Sequence, residues 1–87
     1  QWVLENYFKF NQQLAPYGLF IKKLKLTQRK TWEIELNNGI MLILGYEASS
    51  AKLKKFLKIY PKEFADLAHR IQKIDLRYTS GMAVRWK

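Results

Sequence analysis

No cysteine occurs in the 87 residues. That excludes disulfides, thiolate chemistry and cysteine zinc sites, and it fits an oxidising or a reducing compartment equally well. There is a single histidine, His69, with no cysteine or acidic neighbour at metal-ligand spacing, so it reads as a helix-surface or helix-end residue rather than a catalytic base. The glycines are isolated, and none builds a phosphate-cradling loop. No apolar run approaches the roughly 18 residues that a membrane-spanning helix needs. With no initiator Met and no signal-like segment before Gln1, the chain reads as a fragment of something longer.

Acidic residues are also scarce. Seven Asp and Glu stand against sixteen Lys and Arg, a formal charge of +9, which favours an acidic partner or surface. Nucleic acid is the blunt reading of that number. The lysines are spread over every segment, however, and no Gly/Arg tract, RNP-like motif or zinc-finger spacing accompanies them. A solvated basic surface that keeps the domain soluble is the plainer alternative. Catalytic parts are missing too. Glu33 and Glu35 lie two apart, as a glycosidase pair might, but each has a lysine predicted opposite. Ser49, Ser50 and Ser80 sit in cap or turn contexts without a base. The chain is expected not to be an enzyme and to hold no cofactor or metal.

What is present is a 48% hydrophobic chain, near the size at which one core suffices without staples. Over residues 2 to 14, Val3, Tyr7, Phe10 and Leu14 recur at helical spacing, with Leu4 and Phe8 widening the stripe. Pro16-Tyr17-Gly18 ends that helix. Residues 20 to 27 and 31 to 36 then predict a hairpin. If Gln28-Arg29-Lys30 is its loop, Leu26 faces Trp32, Leu24 faces Ile34, Lys25 faces Glu33 and Lys23 faces Glu35, so one register satisfies both faces. Asn37-Asn38-Gly39 predicts a three-residue hairpin loop, because Gly in third place can take the left-handed conformation. Ile40, Leu42 and Leu44 would then oppose Leu36, Ile34 and Trp32. Met41 and Ile43 would share the face of Glu33 and Glu35 and need cover or a contact. A two-residue loop would invert this assignment.

After Gly45, Ser49-Ser50 offers an N-cap for a helix that faces Leu53, Phe56, Leu57 and Tyr60 inward. Lys52, Lys55, Lys58 and Lys62 form a neighbouring stripe, the candidate polyanion face. Pro61 suits the start of a further helical turn, with Phe64, Leu67, Ala68 and Ile71 repeating the pattern, as a second helix or one kinked helix. The fold class is therefore α+β. It is a single domain over residues 1–87, with a mixed or antiparallel sheet of about five strands, an N-terminal helix and a helix pair on one sheet face, and a C-terminal β-hairpin ending in an edge strand.

In that hairpin Ile74, Leu76 and Tyr78 alternate with Asp75, Arg77 and Thr79. Thr79-Ser80-Gly81 reverses the chain, and Met82, Val84 and Trp86 share one face of the last strand. Tyr78 and Trp86 are either large core anchors or interface residues, a choice that burial decides. An edge strand without proline, rich in β-formers and ending in Trp, is an aggregation liability unless covered. Strand addition by a partner accounts for it, with backbone bonds giving affinity and Tyr78 and Trp86 giving specificity.

Trp32, Leu36-Asn37-Asn38-Gly39, Leu44-Gly45, Leu53, Phe56, Leu57, Tyr60-Pro61, and then Ile74-Asp75-Leu76-Arg77-Tyr78, Ser80-Gly81 and Ala83-Val84-Arg85-Trp86-Lys87, in that order, resemble the C-terminal β domain of the FtsQ/DivIB family of bacterial division proteins. The resemblance implies a bitopic inner-membrane protein with a cytoplasmic tail, one transmembrane helix, a POTRA domain and this β domain in the periplasm at the division septum. The first three parts are absent from these residues. It further implies a non-catalytic scaffold that binds FtsB, within the FtsB–FtsL subcomplex, by strand addition to the last strand. The implied contact positions are Tyr78, Ser80, Gly81 and Trp86, with Arg77 available to an acidic side chain and Arg29, beside Trp32, a weaker candidate.

Overall fold

The computed structural model describes residues 2–46, 50–78 and 81–87. Helix α1 (Trp2–Leu14) buries Phe10 and Leu14 and rests Tyr7 against the core. Phe8 does not widen the stripe as expected, since it is 60% exposed. A 3-10 turn over Ala15–Tyr17 closes on Gly18, whose φ of +72° only glycine adopts freely, and whose N–H donates to the Ala15 carbonyl at 3.0 Å. Two asparagines fix the next entry. Asn11 Oδ1 accepts the Ile21 N–H at 2.8 Å, and Asn37 Oδ1 accepts the Phe20 N–H at 2.9 Å.

Strands β1 (Ile21–Leu26) and β2 (Trp32–Leu36) pair antiparallel in the predicted register, with Leu26 opposite Trp32, Leu24 opposite Ile34, Lys25 opposite Glu33 and Lys23 opposite Glu35. The ion pair that forms is nonetheless Lys22 to Glu35, at 3.7 Å. A bulge between Ile21 and Lys23 inserts Lys22 as an unpaired residue, and such an insertion turns the extra side chain toward its neighbour's face.

The loop after β2 has the three predicted residues. Leu36 N–H donates to the Ile40 carbonyl at 2.9 Å, Asn38 Oδ1 accepts the Ile40 N–H at 3.1 Å, and Gly39 takes φ +93°. In β3 (Met41–Gly45), Leu42 opposes Ile34 as expected, but Gly45 rather than Leu44 opposes Trp32. A register shift between Trp32 and Glu33 makes Leu44 the extra residue, and it stays fully buried. Met41 and Ile43 lie half-buried on the face of Glu33 and Glu35.

Helix α2 (Ser50–Ile59) buries Leu53, Phe56 and Leu57, with Tyr60 just beyond its end, as the spacing predicts. Of the two expected forms it is the irregular single run that occurs, since helical turns continue past Ile59 to Arg70. Pro61 has no N–H to donate to the preceding turn, so the winding loosens to a π turn over Tyr60–Phe64, in which Ala65 N–H reaches the Tyr60 carbonyl. It then tightens to 3-10 turns over Ala65–Arg70. Phe64 stacks on Phe56 with ring centres 6.5 Å apart, and Ala68 is buried, whereas Leu67 turns outward.

Ile71 opens β4 (Ile71–Asp75) instead of closing a helix, three residues before the strand predicted at Ile74. β4 runs parallel to β3, with Leu42 opposite Ile74, and the helical segment is the crossover between them. β5 (Ala83–Trp86) returns antiparallel to β4. Regular pairing ends at Asp75 opposite Ala83, and the tight turn expected at Thr79-Ser80-Gly81 falls mostly on residues that are not described. Thr79 and Ser80 lie outside the described residues. The result is one mixed sheet in the order β1-β2-β3-β4-β5. Its helix-covered face carries Ile34, Leu36, Leu42, Leu44, Ile71 and Ile74 in one cluster with Phe10, Leu14, Leu53 and Phe56. The opposite face is open.

Candidate functional site: the β5 edge and its approach

β5 pairs with β4 and has no second strand beside it among the described residues. Its inner-face residues are only partly used by the core. Val84, opposite Ile74, and Met82 pack against the core cluster, but Trp86, opposite Ile71, is 50% exposed. Trp86 lines a shallow cavity with Leu67, Arg70 and Lys87. Lys87 N–H donates to the Arg70 carbonyl at 2.8 Å, which holds the strand end against the helical layer.

Tyr78 is 54% exposed. Burial therefore places neither aromatic in the core. That role belongs to Leu76, which is fully buried and donates its N–H to the Ile43 carbonyl at 2.9 Å, beyond the last regular β4 pair. After Leu76 the backbone leaves the sheet, so the alternation that put Tyr78 on the apolar face of a strand no longer applies. Lys55 instead reaches from α2 to the Tyr78 carbonyl at 2.8 Å.

Arg77 is held within the chain. Its Nε lies 2.9 Å from Asp75 Oδ1 and its Nη2 lies 2.6 Å from Oδ2, while its own N–H donates to Oδ1 at 3.0 Å. This hydrogen-bonded guanidinium holds the Asp75 carboxyl below its ordinary pKa. The Arg77 stem lies over Gly45, where an added Cβ would come within 3.1 Å of Arg77 Cγ. Arg29 and Arg77, far apart in sequence, line one open concavity of about 630 Å³ on the open face, together with Lys25, Glu33 and Ile43. Gly81 adopts φ +75° with free space where a Cβ would sit, so its backbone conformation is the reason for glycine there. Ser80 lies outside the described residues. Gly81 thus lies just before β5 and Trp86 at its end, Tyr78 is exposed beyond β4, and Arg29 and Arg77 line the same concavity on the open face.

The lysine stripe on α2 is not a free basic face. Lys52 donates to the Leu44 carbonyl at 2.6 Å and Lys55 to that of Tyr78, leaving Lys58 and Lys62 as its exposed members. His69 is exposed in the 3-10 turns. Among the described residues no group of His, Cys, Asp and Glu could hold a metal ion, and no helix is long and apolar enough to cross a membrane. Sequence reasoning missed Lys55 as a support for Tyr78, because the bond is to a backbone carbonyl and carries no signature of residue type. It also missed Lys73, which faces Arg85 across β4 and β5.

The family model described as "Cell division protein FtsQ/DivIB, C-terminal" matches residues 1–77, covering both helices and β1 to β4. Curated relatives named "Cell division protein FtsQ" include those of Vibrio cholerae, 39% identical over 97% of this chain and 32% of the relative, and Escherichia coli K12, 37% identical over 97% and 32%. The Coxiella burnetii protein of the same name is 34% identical over 98% of this chain and 35% of its own length. The chain thus spans about a third of the length of these relatives. With the match reaching from α1 through β4, this chain belongs to the FtsQ/DivIB C-terminal family of cell division proteins.

Proposed function

We propose that this domain is a non-catalytic scaffold of the division machinery, which binds FtsB within the FtsB–FtsL subcomplex by accepting a strand at β5. In full-length form it would sit at the periplasmic face of the inner membrane at the septum, anchored by a segment outside these residues, and would act by recruiting other divisome proteins. The observation that carries the reading is the flank of β5, unpaired among the described residues, on a strand that ends in half-exposed Trp86, with Tyr78 half-exposed beyond β4. An added strand would satisfy the open backbone groups and cover both rings, and aromatic anchors of this kind dominate interface energetics. Arg77 and Gly81 shape the approach, Ser80 is a further contact by the family resemblance, and Arg29 would meet a partner that continues onto the open face. The polyanion alternative loses support because Lys52 and Lys55 are bound to carbonyl groups.

The test is a titration of the domain with a labelled peptide from the periplasmic C-terminal part of the cognate FtsB, at low and moderate salt, beside a labelled DNA duplex. Saturable peptide binding that survives moderate salt is expected. Binding to DNA alone, collapsing as salt rises, would overturn the proposal.

A further inference from the structure

The registers on the open face align side chains in two rows that cross the sheet. One row runs Lys25, Glu33, Ile43, Asp75, Ala83, and the other runs Lys23, Glu35, Met41, Lys73, Arg85. On β1 and β2 opposite charges face each other, Lys25 across from Glu33 and Lys23 across from Glu35. Glu35 pairs with Lys22, and Asp75 with Arg77. The exception is the outer end of the second row, where Lys73 and Arg85 face each other across β4 and β5. Like charges directly opposite are destabilising. Lys73 also feels the Asp75 carboxylate beside it. Arg85 is exposed and has no ion-pair partner among the described residues.

This mismatch sits on the strand with the free flank, so the position that would complete the row belongs to whatever pairs with β5. We infer that the strand β5 accepts carries a carboxylate side chain directly opposite Arg85 on the open face, next to an apolar residue that turns toward Trp86. The inference rests on the strand-addition reading above. In either strand direction, the side chain across from Arg85 lies on its face at cross-strand contact distance. A lysine or arginine there would place a third positive charge in line, and an apolar residue would leave Arg85 uncompensated. The adjacent residue of the same strand must point to the helical side, where Leu67 and Trp86 line the cavity. The recognised segment is therefore one that alternates an acidic with an apolar residue. A nucleic acid fits less well, because the neighbouring row presents Asp75 and Ala83 where a phosphate backbone would need further cations.

The test titrates the same labelled FtsB segment against Arg85→Glu, Arg85→Lys and Trp86→Ala domains of matched circular dichroism, with the labelled DNA duplex alongside. Arg85→Glu is expected to weaken segment binding about tenfold at low salt, and Arg85→Lys to stay within about twofold of the unsubstituted domain. Changing each Asp and Glu of the segment to Lys in turn should identify one peptide that recovers binding to Arg85→Glu. If Arg85→Glu binds as tightly as the unsubstituted domain while Trp86→Ala does not bind, strand addition stands and the carboxylate assignment falls. If the unsubstituted domain binds no segment, the strand-addition reading fails and takes this inference with it. If Arg85→Glu reduces only DNA binding, Arg85 serves a polyanion and the inference is overturned.

Discussion

The sheet has two edges, and they are built differently. β1 carries Lys22, Lys23 and Lys25, and its own backbone is bulged at Lys22. Charge and a bulge on an edge strand both hinder the pairing of another strand. In the β4–β5 ladder the irregularity lies between Ile71 and Lys73, on the inner strand, so β5 itself offers Ala83 to Trp86 with one basic side chain, Arg85. Both edges expose an apolar side chain, Leu26 at 50% and Trp86 at 50%. What guards β1 and not β5 therefore lies in lysines and backbone regularity, not in how much apolar surface is shown.

The strongest way to break the asymmetry is at its root. Leu76→Ala removes a fully buried side chain where the β4–β5 ribbon joins the core, and should cost about 2 to 5 kcal/mol. Denaturant unfolding measures that loss, and hydrogen exchange should show protection falling in β5 before β1. Trp86→Ala should reduce affinity for the FtsB segment by about 2 kcal/mol or more with a small change in Tm, whereas Leu26→Ala, equally exposed on the guarded edge, should leave affinity unchanged. Equal losses from both would show that the two edges do not differ in function.

Ala83→Lys transfers the β1 device to β5. It should lower segment affinity several-fold, about 1 kcal/mol, and leave unfolding by urea almost unaltered. Lys55→Ala removes the bond to the Tyr78 carbonyl and should cost about 0.5 to 1.5 kcal/mol of segment binding, with Lys55→Arg recovering part of it. The smallest effect concerns pH. The folded Asp75 carboxyl titrates below its ordinary value of 3.8, so its contribution is present above that value and fades as pH falls through the depressed one. Asp75→Asn should remove that acid-side loss and slightly lower stability at neutral pH. Parallel stability–pH curves for the two proteins would contradict it.

The first hairpin was legible because its Leu, Lys, Glu and Trp residues satisfy both faces in only one register, and the structure keeps it. Gly39 likewise fixed the length of the next loop, and with it the burial of Ile40, Leu42 and Leu44. β4 was misread for a physical reason. Its register shift makes Gln72 the extra residue, so Ile71 and Ile74 both face the core although they are three apart, a spacing that suits a helix better than a strand. Pro61 marked a change of winding but not its kind. At the candidate site the residue types were visible and their exposure was not, since alternation fails once the chain leaves the ladder after Leu76. The pairing of Arg77 with Asp75 could be suspected from their spacing, while the placing of Arg29 and Arg77 on one concavity depends on how β1 to β4 are ordered.

The parallel pairing of β3 with β4 bears on the order of assembly. β1, β2 and β3 are joined by short hairpin loops and can pair locally, but β4 reaches β3 only when the whole helical crossover has closed. Such non-local closure is the slow step in forming a sheet. A β4–β5 hairpin is marginal by itself until it docks. The β5 edge is therefore ordered only after the core is in place. A newly made chain thus keeps its unguarded edge unformed during the interval when pairing with a wrong neighbour would do most harm.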